Sequence, residues 1–159
     1  MARLSEDITF GYLDIWENHD ENFFIGGILT VNNKGVPKEY FYSDKIKVSE
    51  LQKLLYGESL KGYLITDIIA NKIIDKLEKK PNVIFVKDDS LLNFREICDI
   101  PLLKIILENS GERLQYSYTS NKQNQSDVIF MRRMPEHSYH YNLVEPFQRL
   151  QESMSYQYE

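Results

Sequence analysis

Asp14 is the residue whose type and setting first suggest chemistry. It lies in ITFGYLDIW, an alternating run that puts Ile8, Phe10, Tyr12, Asp14 and Trp16 on one face of a strand. An acidic side chain among aromatics either points to the solvent or marks a polar site on the sheet. A second acidic group, Asp88-Asp89, directly follows the apolar run NVIFV. There Asp89 or Ser90 could cap a helix over Leu91 to Cys98, which gives the pair a structural role. Glu50 falls in the first turn of a helical segment, where a carboxylate serves the helix dipole.

Other chemistries find less support. His137 and His140 are three apart in HSYH, a spacing that could present both to one metal on a helix. His19 is the remaining histidine and Cys98 the sole thiol, so a closed zinc site lacks its ligands. No nucleophile elbow announces a Ser-His-Asp hydrolase. Gly26-Gly27 sits inside a strand and not between a strand and a helix, so close backbone packing explains it better than a phosphate cradle. Arg113, Arg132 and Arg133 could form a small basic patch, but three arginines more often serve as surface salt-bridge partners.

The elements that must position these groups are read from periodicity. FFIGGILTV and EYFYSDKI flank Asn32, Asn33, Lys34 and Gly35, a composition that favours a hairpin. In the first run Phe24, Gly26, Ile28 and Thr30 share one side, and Phe23, Ile25, Gly27, Leu29 and Val31 the other. Both sides are largely apolar, which predicts a central strand covered on both faces. The segment Val48 to Lys79 opens with Ser49 and Gln52 at capping-box spacing. Leu51, Leu54 and Leu55 make a short stripe, and Leu64, Ile65, Ile68, Ile69, Ile73 and Leu77 a longer one. Gly57 and Gly62 lie between them, predicting two helices with a bend near Tyr56-Gly57, or one helix broken there.

Pro81 ends that segment, NVIFV reads as a buried strand, and IPLLKII reads as another, with a helix as the alternative. RLQYSYT, ending at Thr119, and VIFMR, ending at Arg132, predict a late hairpin across the polar stretch SNKQNQS. Val144, Phe147, Leu150 and Met154 form the stripe of a terminal helix whose first turn tolerates Pro146.

With 159 residues, 42% of them apolar, the chain fits one domain with a sizeable core. No apolar run is long enough to cross a bilayer and the first ten residues lack a signal core. A single cysteine excludes an internal disulfide, so a cytoplasmic location is expected. The net charge of −5 argues against broad attraction to nucleic acid, because that binding neutralises many phosphates, although a local basic groove stays open. Eleven tyrosines suit either a core or a contact surface.

The order of these elements, three strands, a helix, a strand, a helix and a strand over about residues 8 to 106, resembles the ribonuclease H-like fold. That resemblance implies a nuclease holding two magnesium ions between acidic residues on the first strand, on the first helix and after the fourth strand. The matching positions are Asp14, Glu50 or Glu58, and Asp88 or Asp89. A second resemblance, carried by Gly35, Pro37, Glu39, Tyr40, Leu51, Gln52, Leu55, Tyr56 and Gly57, is to small uncharacterised bacterial proteins with a G-x-P-x-E-[FY] turn. It singles out Glu39 and Tyr56 and implies no mechanism; turn and bend packing is their structural reading.

The expectation is therefore an α/β domain, with α+β as the alternative: an antiparallel meander, a helix-strand-helix-strand unit, a late hairpin and a terminal helix. Its leading functional reading is a non-catalytic binding or assembly subunit without a cofactor. Protein partners or copies of itself would dock through Glu39, Tyr56, Phe147, Leu150 and Met154, in a nucleic-acid-handling or defence complex. The alternative is a magnesium-dependent nuclease using Asp14, Glu50 or Glu58, and Asp88 or Asp89.

Overall fold

A computed structural model describes residues 8–110, 113–134, 139 and 141–158. Its frame is a seven-stranded sheet in the order β3-β2-β1-β5-β6-β7, with the short β4 beside β2. The strands are β1 (Thr9–Asn18), β2 (Phe23–Asn32), β3 (Pro37–Tyr42), β4 (Ile46–Lys47), β5 (Val83–Val86), β6 (Leu102–Ser110) and β7 (Arg113–Thr119). β1 to β3 form an antiparallel meander, β1, β5 and β6 run parallel, and β7 returns antiparallel to β6. The α/β expectation holds.

β2 is interior, as its two apolar faces require. Phe24 and Ile28 enter one core with Leu64, Ile65, Ile69 and Ile73, while Phe23, Ile25, Leu29 and Val31 enter the other with Phe147, Leu150 and Met154. Gly26 and Gly27 let both layers approach: a Cβ on Gly26 would lie 2.5 Å from Ile69 Cγ2, and one on Gly27 2.8 Å from Met154 Sδ.

The expected helical break falls at Gly57. Helix α1 (Glu50–Tyr56) begins with both capping-box hydrogen bonds, Gln52 N–H to Ser49 Oγ and Ser49 N–H to Gln52 Oε1. Gly57 then takes φ 55°, a left-handed conformation suited to glycine. After a 3-10 turn (Gly57–Ser59), α2 (Leu60–Tyr63), a π-helical turn (Leu64–Ile69) and α3 (Ala70–Ile74) follow without interruption. Leu64, Ile65, Ile69, Ile73 and Leu77 of the longer stripe are buried, but Leu51, Leu54 and Leu55 of α1 are 63%, 80% and 74% exposed.

Two sequence readings are corrected. VIFMR is not a strand: Ser126–Arg133 is helix α4, and the hairpin partner of β7 is β6. The run shows Val128 half-buried and Met131 buried, three apart, with Asp127 buried as well, a helical pattern hidden by β-prone residue types. Phe147, Leu150 and Met154 of α5 (Glu145–Gln157) cannot form a docking surface, because each is at most 1% exposed and packs on the sheet. Val144 and Pro146 lead into that helix as expected. Among the described residues no helix is long and apolar enough to cross a membrane.

Candidate functional site

Asp14 lies where the sheet changes character. β1 pairs in parallel with β5 through Phe10–Val83, Gly11–Ile84 and Tyr12–Phe85, and β5 ends at Val86. Two residues past the last pair, β1 carries Asp14 and the segment after β5 carries Lys87, followed by Asp88. On its other side β1 is antiparallel to β2. The carboxyl end of a parallel strand beside such a change of direction leaves a crevice where α/β sheets bind ligands.

Asp14 does not face solvent; it is 3% exposed, on the face that α5 covers. Its Oδ1 accepts from the Ile15 amide at 2.9 Å and its Oδ2 from Gln151 Nε2 at 2.8 Å. Gln151 Nε2 also donates to the Ile15 carbonyl at 2.9 Å, which fixes the amide against β1. These donors are neutral, and among the described residues no lysine or arginine nitrogen is recorded within ion-pair distance of Asp14. Burial raises the Asp14 pKa from its ordinary value, with nearby Asp88 adding to the rise, while Gln151, the Ile15 amide and Lys87 oppose it.

Asp14 opens onto a cavity of about 440 Å³ that it shares with Glu17, Lys61, Lys87 and Asp88. A second cavity, of about 500 Å³, adjoins it and takes in Lys53, Glu58, Asp88, Asp89 and Ser90. Glu17, Lys61 and Asp88 line both. The result is a continuous cleft of mixed charge along the ends of β1 and β5. Two ion pairs line it, one close and one loose: Lys53 Nζ stands 2.9 Å from Glu17, and Lys61 Nζ 3.8 Å from Asp88.

The predicted acids are therefore only partly assembled. Asp14 and Asp88 share one cavity; Glu58 and Asp89 join Asp88 in the other. Glu50 lines neither and is paired at 3.9 Å with Lys53 at the start of α1. The helix expected over Leu91 to Cys98 behind a cap at Asp89 or Ser90 is instead the 3-10 segment Asp89–Glu96, which takes in both of those residues; its N-cap is Asp88, whose side chain makes no cap hydrogen bond. Asp89 instead pairs with Lys104 at 3.0 Å. Among the described residues no three His, Cys, Asp or Glu side chains converge to hold a metal. The two-magnesium set that the resemblance implies is thus incomplete. A single magnesium is a different case, since it takes one or two carboxylates and completes its shell with water and substrate phosphate. In this structure both Asp14 oxygens already accept hydrogen bonds, and Asp88, on the same cavity, stands 3.8 Å from the Lys61 ammonium.

The remaining candidates have other roles. Glu39 accepts from the Glu78 and Lys79 amides at 2.9 and 3.3 Å and fastens the chain after α3 to β3. Tyr56 stacks on Tyr63 with ring centroids 4.7 Å apart. His137 and His140 lie outside the described residues. Sequence reasoning missed Lys61, Lys87 and Gln151. Gln151 carried a signal, since a polar residue four after Phe147 and three before Met154 falls on the apolar stripe.

No protein-family model and no curated protein matches the chain in sequence. Solved structures superpose on it in part. An endonuclease V from Streptomyces avermitilis superposes with a TM-score of 0.51 at 8% identity, over 70% of this chain and 55% of its own. A Bacillus subtilis endonuclease V gives 0.41 at 16% identity, over 65% and 46%. An Argonaute from Marinitoga piezophila with guide RNA gives 0.34 at 16%, over 69% and 18%. This chain thus spans about half the length of the first of these. The fold is ribonuclease H-like, shared with the first of these, an endonuclease. The expectation of a non-catalytic assembly subunit is thereby corrected in favour of its alternative.

Proposed function

We propose that this chain is a nuclease that hydrolyses phosphodiester bonds at the cleft between Asp14 and Asp88. The observation that carries the reading is Asp14 itself: a carboxylate buried in the middle of a sheet, hydrogen-bonded by neutral donors among the described residues, opening on a cavity at the carboxyl ends of β1 and β5. Burying an ionised group is expensive unless something compensates it. A protein that keeps one at a ligand-sized opening has a use for it.

Asp14 and Asp88 would hold a magnesium ion, which lowers the pKa of bound water and offsets charge on the transferring phosphoryl group. Lys61 and Lys87 stand on the same cavity wall and offer ammonium groups to phosphate oxygens. Gln151 keeps the Asp14 carboxylate in one orientation, so the acceptor is set before substrate arrives.

Single-stranded and duplex DNA and RNA, incubated with the purified chain and magnesium, provide the test. Cleavage is expected on at least one, and Asp14→Asn should lower its rate by about 100-fold or more. A preparation inert on all four, or one in which Asp14→Asn cuts as fast as the wild type, overturns the reading.

A further inference from the structure

A row of aromatic side chains leads away from the cleft. Trp16 lines the Asp14 cavity, and its ring lies nearly parallel to that of Tyr158, 11° between planes and 6.5 Å between centroids. Tyr158 meets Tyr42 at 6.3 Å, and Tyr42 meets Tyr40 at 5.6 Å. All four are half-buried, so each keeps part of its surface in solvent. Phe23, fully buried, forms the floor, in edge contact with both Trp16 and Tyr158. Lys45 brings its ammonium within 4.6 Å of the Phe23 ring and 5.0 Å of the Tyr158 ring, while pairing with Glu21 at 3.5 Å. The row ends in a further cavity of about 440 Å³, lined by Tyr40, Tyr156, Arg149 and Glu152 among others.

We propose that this row is a track for a single strand of nucleic acid, whose bases stack on Trp16, Tyr158, Tyr42 and Tyr40 while Lys45 and Arg149 meet its phosphates. The inference rests on the nuclease reading and adds the substrate class to it. Two features favour this occupant. The row is continuous with the proposed cleavage cavity through Trp16, and it sets the Lys45 ammonium beside ring faces, with Arg149, held by Glu145 and the Gly35 carbonyl, at its far end; aromatic faces with adjacent cations are how proteins hold unpaired strands without reading sequence. A duplex keeps its bases stacked inside and has none to lend to such a surface.

The test separates the track from the chemistry. Fluorescence anisotropy with labelled single-stranded and duplex oligonucleotides of equal length, on the Asp14→Asn chain in magnesium-free buffer, reads binding alone. Single strands are expected to bind at least tenfold tighter than the duplex. Tyr158→Leu, which keeps apolar volume, and the surface change Lys45→Gln should each weaken single-strand binding, by about tenfold and about threefold. Equal affinity for both forms, or unchanged affinity in Lys45→Gln and in a folded Tyr158→Leu, overturns the track, even if cleavage still depends on Asp14. Binding that follows the aromatic row in a chain that cuts nothing sustains the track and rejects the nuclease reading.

Discussion

Asp14 is held by an amide and a carboxamide, and that choice has a thermodynamic consequence. Its pKa is raised in the folded chain, chiefly by burial, above the ordinary 3.8 that applies when the chain is unfolded. Between those two values the folded chain keeps a proton that the unfolded chain has released. Stability therefore falls as pH rises through that window and stays at the lower level above it. Asp14→Asn cannot lose the proton, so it should be as stable as the wild type near pH 3.5 and more stable at neutral pH. Urea denaturation from about pH 3.5 to 7 measures this, and a difference between the two chains that does not grow with pH counts against the buried, unpaired carboxylate. Asp14 was conspicuous in the sequence because it interrupts an aromatic face. Its pairing with Gln151 was not, because the two stand 137 positions apart and only the docking of α5 brings them together.

Among the elements, β2 was the most legible and α1 the least. Two apolar faces on one strand leave an interior position as the natural outcome, and each face found its own helical layer. The stripe of α1 implied burial that does not occur: α1 meets the sheet through Lys53, which reaches Glu17 and the Phe24 ring, and Leu54 is left 80% exposed. In VIFMR the residue types suggested a strand and the spacing a helix, and tertiary packing decided. The paired glycines of β2 allow a sharper prediction. Gly26→Ala would press its methyl on Ile69, a branched side chain wedged in the core, whereas Gly27→Ala would meet the sulfur of Met154, which can rotate away. Gly26→Ala should cost about 1–3 kcal/mol and Gly27→Ala clearly less, as read from denaturant midpoints. The reverse order would mean that the α1–α3 layer is the more yielding of the two.

Across the molecule, the order of elements along the chain as far as β6 and the two apolar faces of β2 were readable from periodicity, but the partner of β7 and the pairs that tie distant segments together were not. One such pair controls how the chain leaves the cleft. After Asp88 it passes through the 3-10 segment Asp89–Glu96 and returns into β6, and Arg95 anchors this passage. Arg95 Nε donates to Asp127 Oδ2 at 2.9 Å, and Arg95 Nη1 to the Cys98 carbonyl at 2.7 Å. The same Asp127 oxygen accepts from the Leu102 amide at 3.1 Å, so α4, β6 and the segment beyond the cleft meet at one buried carboxylate. Asp127 is 3% exposed, and removing its cation leaves a buried charge uncompensated. Arg95→Leu should therefore cost about 3–5 kcal/mol in chemical denaturation. Adding Asp127→Asn removes the stranded charge yet keeps an oxygen for the Leu102 amide, so the double variant should be more stable than Arg95→Leu alone. If the two changes simply add, the pair contributes no coupling, and Asp88 would owe its position to β5 and Lys61 alone.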